Sequence, residues 1–352
     1  MTDISRDLQQ QVKQAFNNQQ PLFIQGSGSK QFLLQSENDQ LLNVCTHTGV
    51  INYEPTELVI TARAGTSLNE IETLLKQHKQ ILGFEPPRFS STATLGGTIA
   101  CNMSGPRRPY AGAARDFILG CEIINGRGEL LHFGGEVMKN VAGYDSSRLM
   151  AGAYGTLGVL LELSIRVLPQ PEMEQSIMLE MNREEAIKIC TQFRQQANTV
   201  SAACHINQQL YLRLSGNAQA VKQACEQTGG ETLDDAGNFW QTIKEHQHPF
   251  FQSQKPLWRL SIPPANAAPE LDDDSLLDWG GGLYWLLTNL PAAQIKMAAA
   301  NAGGHATLFR NPAEEKDRFT SLPAPMRALH KKLKQAFDPG SILNPDLFSK
   351  VL

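Results

Sequence analysis

The sequence predicts an α+β protein of two domains, and three observations carry that prediction. Short apolar runs with strand character alternate with amphipathic helical stretches along the chain. Its 352 residues exceed the roughly 250–300 that one hydrophobic core organises. The composition also shifts at Pro169-Gln170-Pro171, where two prolines close a glycine-rich half.

The elements follow in order. After an N-terminal helix, Pro21–Gln25 reads as a strand opening into Gly26-Ser27-Gly28-Ser29-Lys30, where backbone N–H groups become free for an anion. Glu57–Thr66 reads as a strand. Ser67 then caps a helix, with Glu70 three residues on and Leu68, Ile71, Leu74 and Leu75 along one face. The stretch Gly83–Gly120 is poor in large aliphatics and rich in Gly, Ser, Thr and Pro, and reads as one long functional loop. Two strands follow, joined by a turn at Asn125-Gly126-Arg127-Gly128. Asp145 opens a short helix, and a long strand runs from Thr156 to Pro169. Beyond Pro171 the strand and helix signals repeat, which suggests a duplicated sheet-plus-helix layer in a separate unit with an antiparallel sheet.

Composition narrows the function classes. A net charge of -4, 41% hydrophobic and 19% charged residues describe an ordinary globular protein and exclude disorder as the main state. The nearest approach to a basic cluster is Lys331-Lys332-Leu333-Lys334, too little for a nucleic-acid footprint. The N-terminus lacks an apolar core, and no window approaches the ~18 apolar residues of a membrane span. We therefore expect a cytoplasmic protein that meets a membrane only through partners. Six cysteines without a CxxC pair read as buried thiols in a reducing compartment, not as zinc or iron–sulfur ligands, and no metal site is expected. His246-Gln247-His248 reads as a surface pair at a helix end before a proline turn.

The first glycine loop is neither GxGxxG nor GxxxxGK[ST], which argues against a Rossmann-type nucleotide site and a P-loop. Thr94-Leu95-Gly96-Gly97-Thr98 and Asn102-Met103-Ser104-Gly105 add bare backbone and hydroxyls, a combination suited to close approach of a pyrophosphate or a flat ring. A third segment, Gly134–Val159, spaces glycines through a helix and into a strand. Two small-residue loops in one domain point to a large phosphorylated cofactor.

The order GSGSK, ATLGGTIACNMSGPRRPYAGAARDFILG, VMKNVAGYDSSRLMAGAYGTLGV resembles the FAD-binding domain of the vanillyl-alcohol oxidase/p-cresol methylhydroxylase (PCMH-type) flavoproteins. FEPPRF, SGPRRPYAGAARDFILG, GGEVMKNVAGYD and GGHATLFR are similar to the E subunits, the smaller flavin-binding subunits, of bacterial glycolate oxidases, over essentially the whole chain. The resemblance implies a two-part PCMH-type FAD-binding domain (1–170), an α+β cap domain (171–335) and a tail (336–352) that returns to the FAD domain. It implies non-covalent FAD, because Gly83–Gly120 contains Cys101 but no histidine. Gln25, Gly26, Ser27, Gly28, Ser29 and Lys30 would hold the pyrophosphate through backbone N–H groups. Thr94, Leu95, Gly96, Gly97 and Thr98, with Asn102, Ser104 and Gly105, would line pyrophosphate and flavin. Gly155, Thr156, Leu157, Gly158 and Val159 would pass the adenine side and ribityl chain. Gln25 and Ser27 stand where relatives often carry Arg and Gly, so a charge is lost there. In the tail, Asp338-Pro339-Gly340-Ser341-Ile342-Leu343-Asn344-Pro345 matches the family's C-terminal signature and would bring Asn344 near the cofactor.

The activity implied is oxidation of glycolate to glyoxylate within a complex. The partners would be a larger flavin-binding subunit and an iron–sulfur subunit, with contact to the inner membrane only through the complex. A free-standing dehydrogenase of another small 2-hydroxy acid, and a structural subunit that has lost its flavin, remain alternatives. Oxidising a 2-hydroxy acid requires a cation for the carboxylate and a base for the hydroxyl proton. Strand alternation puts Arg259 and Ser261 on one face and His305 and Thr307 on one face, so Arg259 and His305 are candidate catalytic residues facing the flavin; polar strand faces explain them equally. Arg107-Arg108 reads either as an anion site or as a solvated turn. Lys139 and Asn140, in a glycine-bounded turn, read as part of the flavin-domain architecture.

Overall fold

The computed structural model describes residues 1–33, 40–135, 145–195, 199–264, 266, 269, 271, 274–311 and 318–351. Lys139 and Asn140 lie outside the described residues. The chain folds as two compact units. One comprises Met1–Ser104, Gly112–Pro169 and Ser321–Leu352; the other comprises Gly105–Ala111 and Gln170–Thr320.

In the first unit, helix Ser5–Asn17 buries Leu8, Val12 and Ala15, one stripe at helical spacing. Strand Phe23–Gln25 pairs in parallel with Leu41–Asn43. A separate five-stranded antiparallel sheet runs in the order Val50–Glu54, Val59–Arg63, Val159–Arg166, Ile118–Ile124, Leu130–Gly134. Ser67 caps helix Leu68–Gln77 by accepting the Glu70 N–H at 3.1 Å, and Leu68, Ile71 and Leu75 face the core. Burying each such aliphatic side chain is worth about 1.5–3 kcal/mol.

The stretch Gly83–Gly120 is not one continuous loop. It contains helices Leu95–Ala100 and Arg108–Ala111 and a 3-10 turn at Ala114–Phe117. Thr94 starts the first of these by accepting the Gly97 N–H at 3.2 Å, a cap signal that the surrounding Gly and Thr residues obscure.

The C-terminal part joins the first unit from Ser321 onward, earlier than position 336, because helix Ala324–Phe337 is anchored there by a buried lysine. Lys334 Nζ donates to Asp338 Oδ2 at 2.7 Å, to the Thr156 carbonyl at 2.8 Å and to the Leu343 carbonyl at 2.7 Å. Asp338, fully buried, also accepts the N–H groups of Ile342 and Leu343 at 3.1 and 2.8 Å. Gly126 has to be glycine at this point, since a Cβ there would lie 2.2 Å from Asp338 Oδ1.

The second unit is an eight-stranded antiparallel sheet made of two like halves. In the first half, strand Met173–Glu180, helix Arg183–Gln195, strands Val200–Ile206 and Gln209–Gly216, helix Ala218–Thr228 and strand Glu231–Thr232 follow one another. Their strands lie in the order fourth, first, third, second. Leu257–Ser261, Asp274–Asp278, Leu283–Leu287 and His305–Arg310 repeat that order from the opposite edge, with helix Ala292–Asn301 before the last strand. The halves join at His205 opposite Leu277. Each half thus has the strand order of a split β-α-β unit. Among the described residues, the second half has no helix between its first two strands.

The structure decides several local readings in this unit. His246 is buried and stacks on Phe251 with ring centroids 4.0 Å apart, while Trp285 and Phe309 pack at 4.5 and 5.3 Å. It is a core residue held by aromatic packing, not half of a surface pair. Arg107, also buried, pairs with Glu174 at 2.7 Å, so this arginine does not sit in a solvated turn. Of the cysteines, Cys101, Cys121, Cys190 and Cys204 are buried, but Cys45 and Cys225 are half-exposed. No helix among the described residues is long and apolar enough to cross a membrane.

Candidate functional site

The first unit carries a groove with about 770 Å³ of empty space including its open mouth. Strand Phe23–Gln25 and its glycine loop form one wall; Thr94, Gly96, Gly97, Ala100 and Cys101 form a second; Tyr154, Gly155, Gly158 and Leu160 complete it. The glycines are there because backbones approach closely. A Cβ on Gly26 would lie 2.7 Å from Thr94 Oγ1, and one on Gly96 would lie 2.6 Å from the Ala64 methyl. Gly28 and Gly155 take φ of 75° and 74°, the left-handed region open to glycine.

Lys30 brings a positive charge into this small-residue wall. Its side chain is buried, with Nζ donating to Thr98 Oγ1 at 3.3 Å and Ser29 Oγ at 3.4 Å. Burial pushes the neighbouring Cys101 thiol up to about 11, with Lys30 pulling the other way. A thiol held that high is protonated and a poor nucleophile at neutral pH. Bare backbone, hydroxyls and one buried cation fit the diphosphate of a dinucleotide, so the residues present suit FAD.

Eleven of the residues singled out by sequence line this groove: Gln25, Gly26, Ser27, Gly28, Ser29, Lys30, Thr94, Gly96, Gly97, Gly155 and Gly158. The others are not among its lining residues. Leu95, Leu157 and Val159 point into the core, and Thr98 meets Lys30. Asn102 Oδ1 accepts the Arg115 N–H at 3.3 Å, Ser104 Oγ accepts the Ala114 N–H at 2.9 Å, and Thr156 Oγ1 donates to the Ala153 carbonyl at 2.7 Å. Gly105 falls in the second unit. Asn344 is a brace: its Oδ1 accepts the Ile24 N–H at 2.8 Å and its Nδ2 donates to the Tyr154 carbonyl at 2.7 Å, fastening two groove-lining segments to the tail. The sequence reading missed Ala64 and Tyr154. Ala64 follows a strand next to Gly65, and Tyr154 precedes Gly155 with φ of 52°; a tight turn was the available signal.

In the second unit, Arg259 and His305 lie on neighbouring strands. Ser261 pairs with His305 and Arg259 with Thr307, so all four side chains share one face of the sheet. The surrounding protein, and then the Arg259 cation, hold His305 below the usual imidazole value, although the residue is exposed at the surface. A neutral imidazole next to a guanidinium offers a proton acceptor beside an anion holder.

Residues 5–134 match the model of the FAD binding domain. The chain is 47% identical over 343 residues to the Glycolate oxidase subunit GlcE of Escherichia coli K12, covering 97% of each. It is 38% identical over 97 residues to the Glycolate oxidase subunit GlcD of Bacillus subtilis, 27% of this chain and 21% of that one. A D-lactate dehydrogenase of Anaerostipes hadrus is 31% identical over 145 residues, 41% of this chain and 30% of that one. Among solved structures, an alkyldihydroxyacetonephosphate synthase superposes with a TM-score of 0.68 over 97% of this chain and 75% of its own length. At 14% identity it bears on the fold alone. With both chains matched almost end to end at 47% identity, this chain belongs to the family of the glycolate oxidase subunit GlcE, built on an FAD-binding domain.

Proposed function

We propose that this chain is the FAD-binding subunit of a glycolate oxidase complex that converts glycolate to glyoxylate. The observation that carries the reading is the near full-length identity to the subunit of that name. The glycine-lined groove with its buried Lys30 supports it.

FAD supplies the two-electron acceptor that hydroxy-acid oxidation needs. The chain's own residues divide the remaining tasks between its two units. Gly26, Gly96 and Gly97 leave the groove wall bare, Lys30 offsets phosphate charge, and Asn344 fixes the strand and turn that shape it. Arg259 holds the glycolate carboxylate as a charge-assisted partner. His305, kept neutral by its surroundings, takes the hydroxyl proton on an imidazole nitrogen while the C2 hydride leaves.

The partners we propose are a larger flavin-binding subunit and an iron–sulfur subunit, in the cytoplasm and at the inner membrane only through the complex. The subunit designations of the Escherichia coli and Bacillus subtilis relatives support a multi-subunit assembly. The test is a visible spectrum of the purified chain, release and chromatography of the cofactor, and anaerobic addition of glycolate. Stoichiometric FAD that bleaches with glycolate is the expected result; a chain without flavin sinks the reading. Purification from native cells without either companion would count against the assembly.

A further inference from the structure

Helix Ala324–Phe337 is anchored near its C-terminal end, where the buried Lys334 pairs with Asp338 at 2.7 Å. Its other half is uncovered: every residue from 323 to 329 is exposed. A short helical stretch is marginal in water, because most helices draw their stability from a packed face. This one is preset by Pro325 in its first turn and by the Ala, Leu, Lys and Arg residues that follow, all favourable in helices. It therefore presents a formed face that a partner can bind at little ordering cost.

That face has a definite chemistry. Met326, Leu329 and Leu333 fall at i, i+3 and i+7, one stripe along the helix. Met326 is 42% and Leu329 49% exposed, and Leu333, next to Lys334, is half-buried. Lys332 borders the stripe on one side, and Arg327 and Lys331 lie on the other. The helix contains no Asp or Glu, although the chain as a whole has a net charge of -4. Among the described residues, no ion pair or side-chain hydrogen bond engages Arg327, Lys331 or Lys332. An apolar stripe with a basic rim is complementary to an apolar groove edged with carboxylates. An anionic bilayer shares part of that complementarity but is the weaker occupant. Two exposed apolar side chains fall short of the long apolar face or paired anchors that hold a chain to a membrane.

We propose that residues 324–333 form a docking helix that inserts Met326 and Leu329 into an apolar groove of a companion subunit. Asp or Glu side chains on the rim of that groove meet Arg327, Lys331 and Lys332. That the occupant belongs to the same assembly rests on the function proposed above; the apolar stripe and its basic rim do not. None of these side chains lines the glycine groove, so substitutions here spare the cofactor site.

The test uses the tagged full chain purified from its native cells, with its companions identified by mass spectrometry. A zero-length carbodiimide joins an amine only to a carboxylate that touches it. It should link Lys331 or Lys332 to an Asp or Glu of a companion. Lys331→Arg combined with Lys332→Arg keeps the charge, so that variant should retain the companions and lose the link. Arg327→Glu, Lys331→Glu and Lys332→Glu together should lower companion retention by about tenfold or more, and Leu329→Asp should do the same. FAD content and the thermal midpoint of each isolated variant should match those of the unsubstituted chain. Added salt should weaken retention, as a charged rim requires. An intact complex with no link from either lysine, or companions held at full level by both the triple variant and Leu329→Asp, overturns the docking helix and leaves the assembly standing. An unsubstituted chain that emerges alone overturns the assembly, and the docking helix with it. Flotation with vesicles of equal parts phosphatidylcholine and phosphatidylglycerol tests the other occupant. Binding by the isolated chain that the triple variant loses would assign the helix to lipid and overturn the proposal.

Discussion

At the scale of single residues, two side chains make claims that substitution can test. Gly26 and Thr94 touch across the groove, and a methyl on Gly26 would stand 2.7 Å from Thr94 Oγ1. Gly26→Ala should therefore displace the loop and lower FAD occupancy severalfold, read as the ratio of visible to ultraviolet absorbance. Thr94→Ala alone should cost about 1 kcal/mol through the lost cap. The double variant should be less damaged than the sum of the two, because the second change removes the atom that the first one strikes. His246 makes a different claim. Burial, then the Arg310 and Arg259 cations, hold it well below the usual imidazole value. The unfolded chain takes up this proton near pH 6.5 and the folded chain does not, so stability falls as pH drops below about 6.5. One such histidine contributes at most about 1.4 kcal/mol per pH unit. His47, His205, His248 and His305 shift the same way and add to the loss. His246→Phe keeps the aromatic stack and removes only its own share. Urea midpoints at pH 7 and pH 5.5 should show a smaller acid loss in the variant; equal losses would refute this account.

At the scale of elements, the tail is the informative piece. Its DPGSILNP signature was legible in the sequence, and so was Asn344, but the part of the lysine before it was not. Lys334 sits in a run of basic residues that reads as a solvated face, yet its side chain is buried against Asp338. Nothing in a one-dimensional pattern separates a lysine that snorkels from one that three oxygens capture. Lys334→Met leaves the buried Asp338 carboxylate without its cation and should destabilise the chain by about 3–5 kcal/mol in urea unfolding. Asn344→Ala strands the Ile24 N–H and the Tyr154 carbonyl, at about 1–3 kcal/mol for each group left unsatisfied. It should also loosen FAD, since both partners line the groove. An Asn344→Ala protein with full flavin content would show that the tail braces the fold and not the site. The same limit hides strand Val200–Ile206 from a one-dimensional pattern. All seven residues of Val200–Ile206 are buried, so the alternation that marks a half-exposed strand is missing. Helix Leu68–Gln77, with one buried face and a capping serine, was readable for the opposite reason.

At the scale of the whole molecule, the two units offer separate readouts. Each has its own sheet and its own buried apolar core. All four tryptophans, Trp240, Trp258, Trp279 and Trp285, belong to the second unit. Tryptophan emission therefore follows the unfolding of that unit, while calorimetry follows both. If FAD is held by the groove of the first unit, linkage stabilises that unit by RT ln(1 + [L]/Kd), about 2.7 kcal/mol at a hundredfold excess over Kd. Calorimetry of the deflavinated chain should then show one transition that moves upward when FAD is added. The transition seen by tryptophan emission should stay where it was. Equal upward shifts in both signals would mean that the chain unfolds as a single cooperative body. A shift in tryptophan emission with none elsewhere would move the cofactor away from the glycine-lined groove.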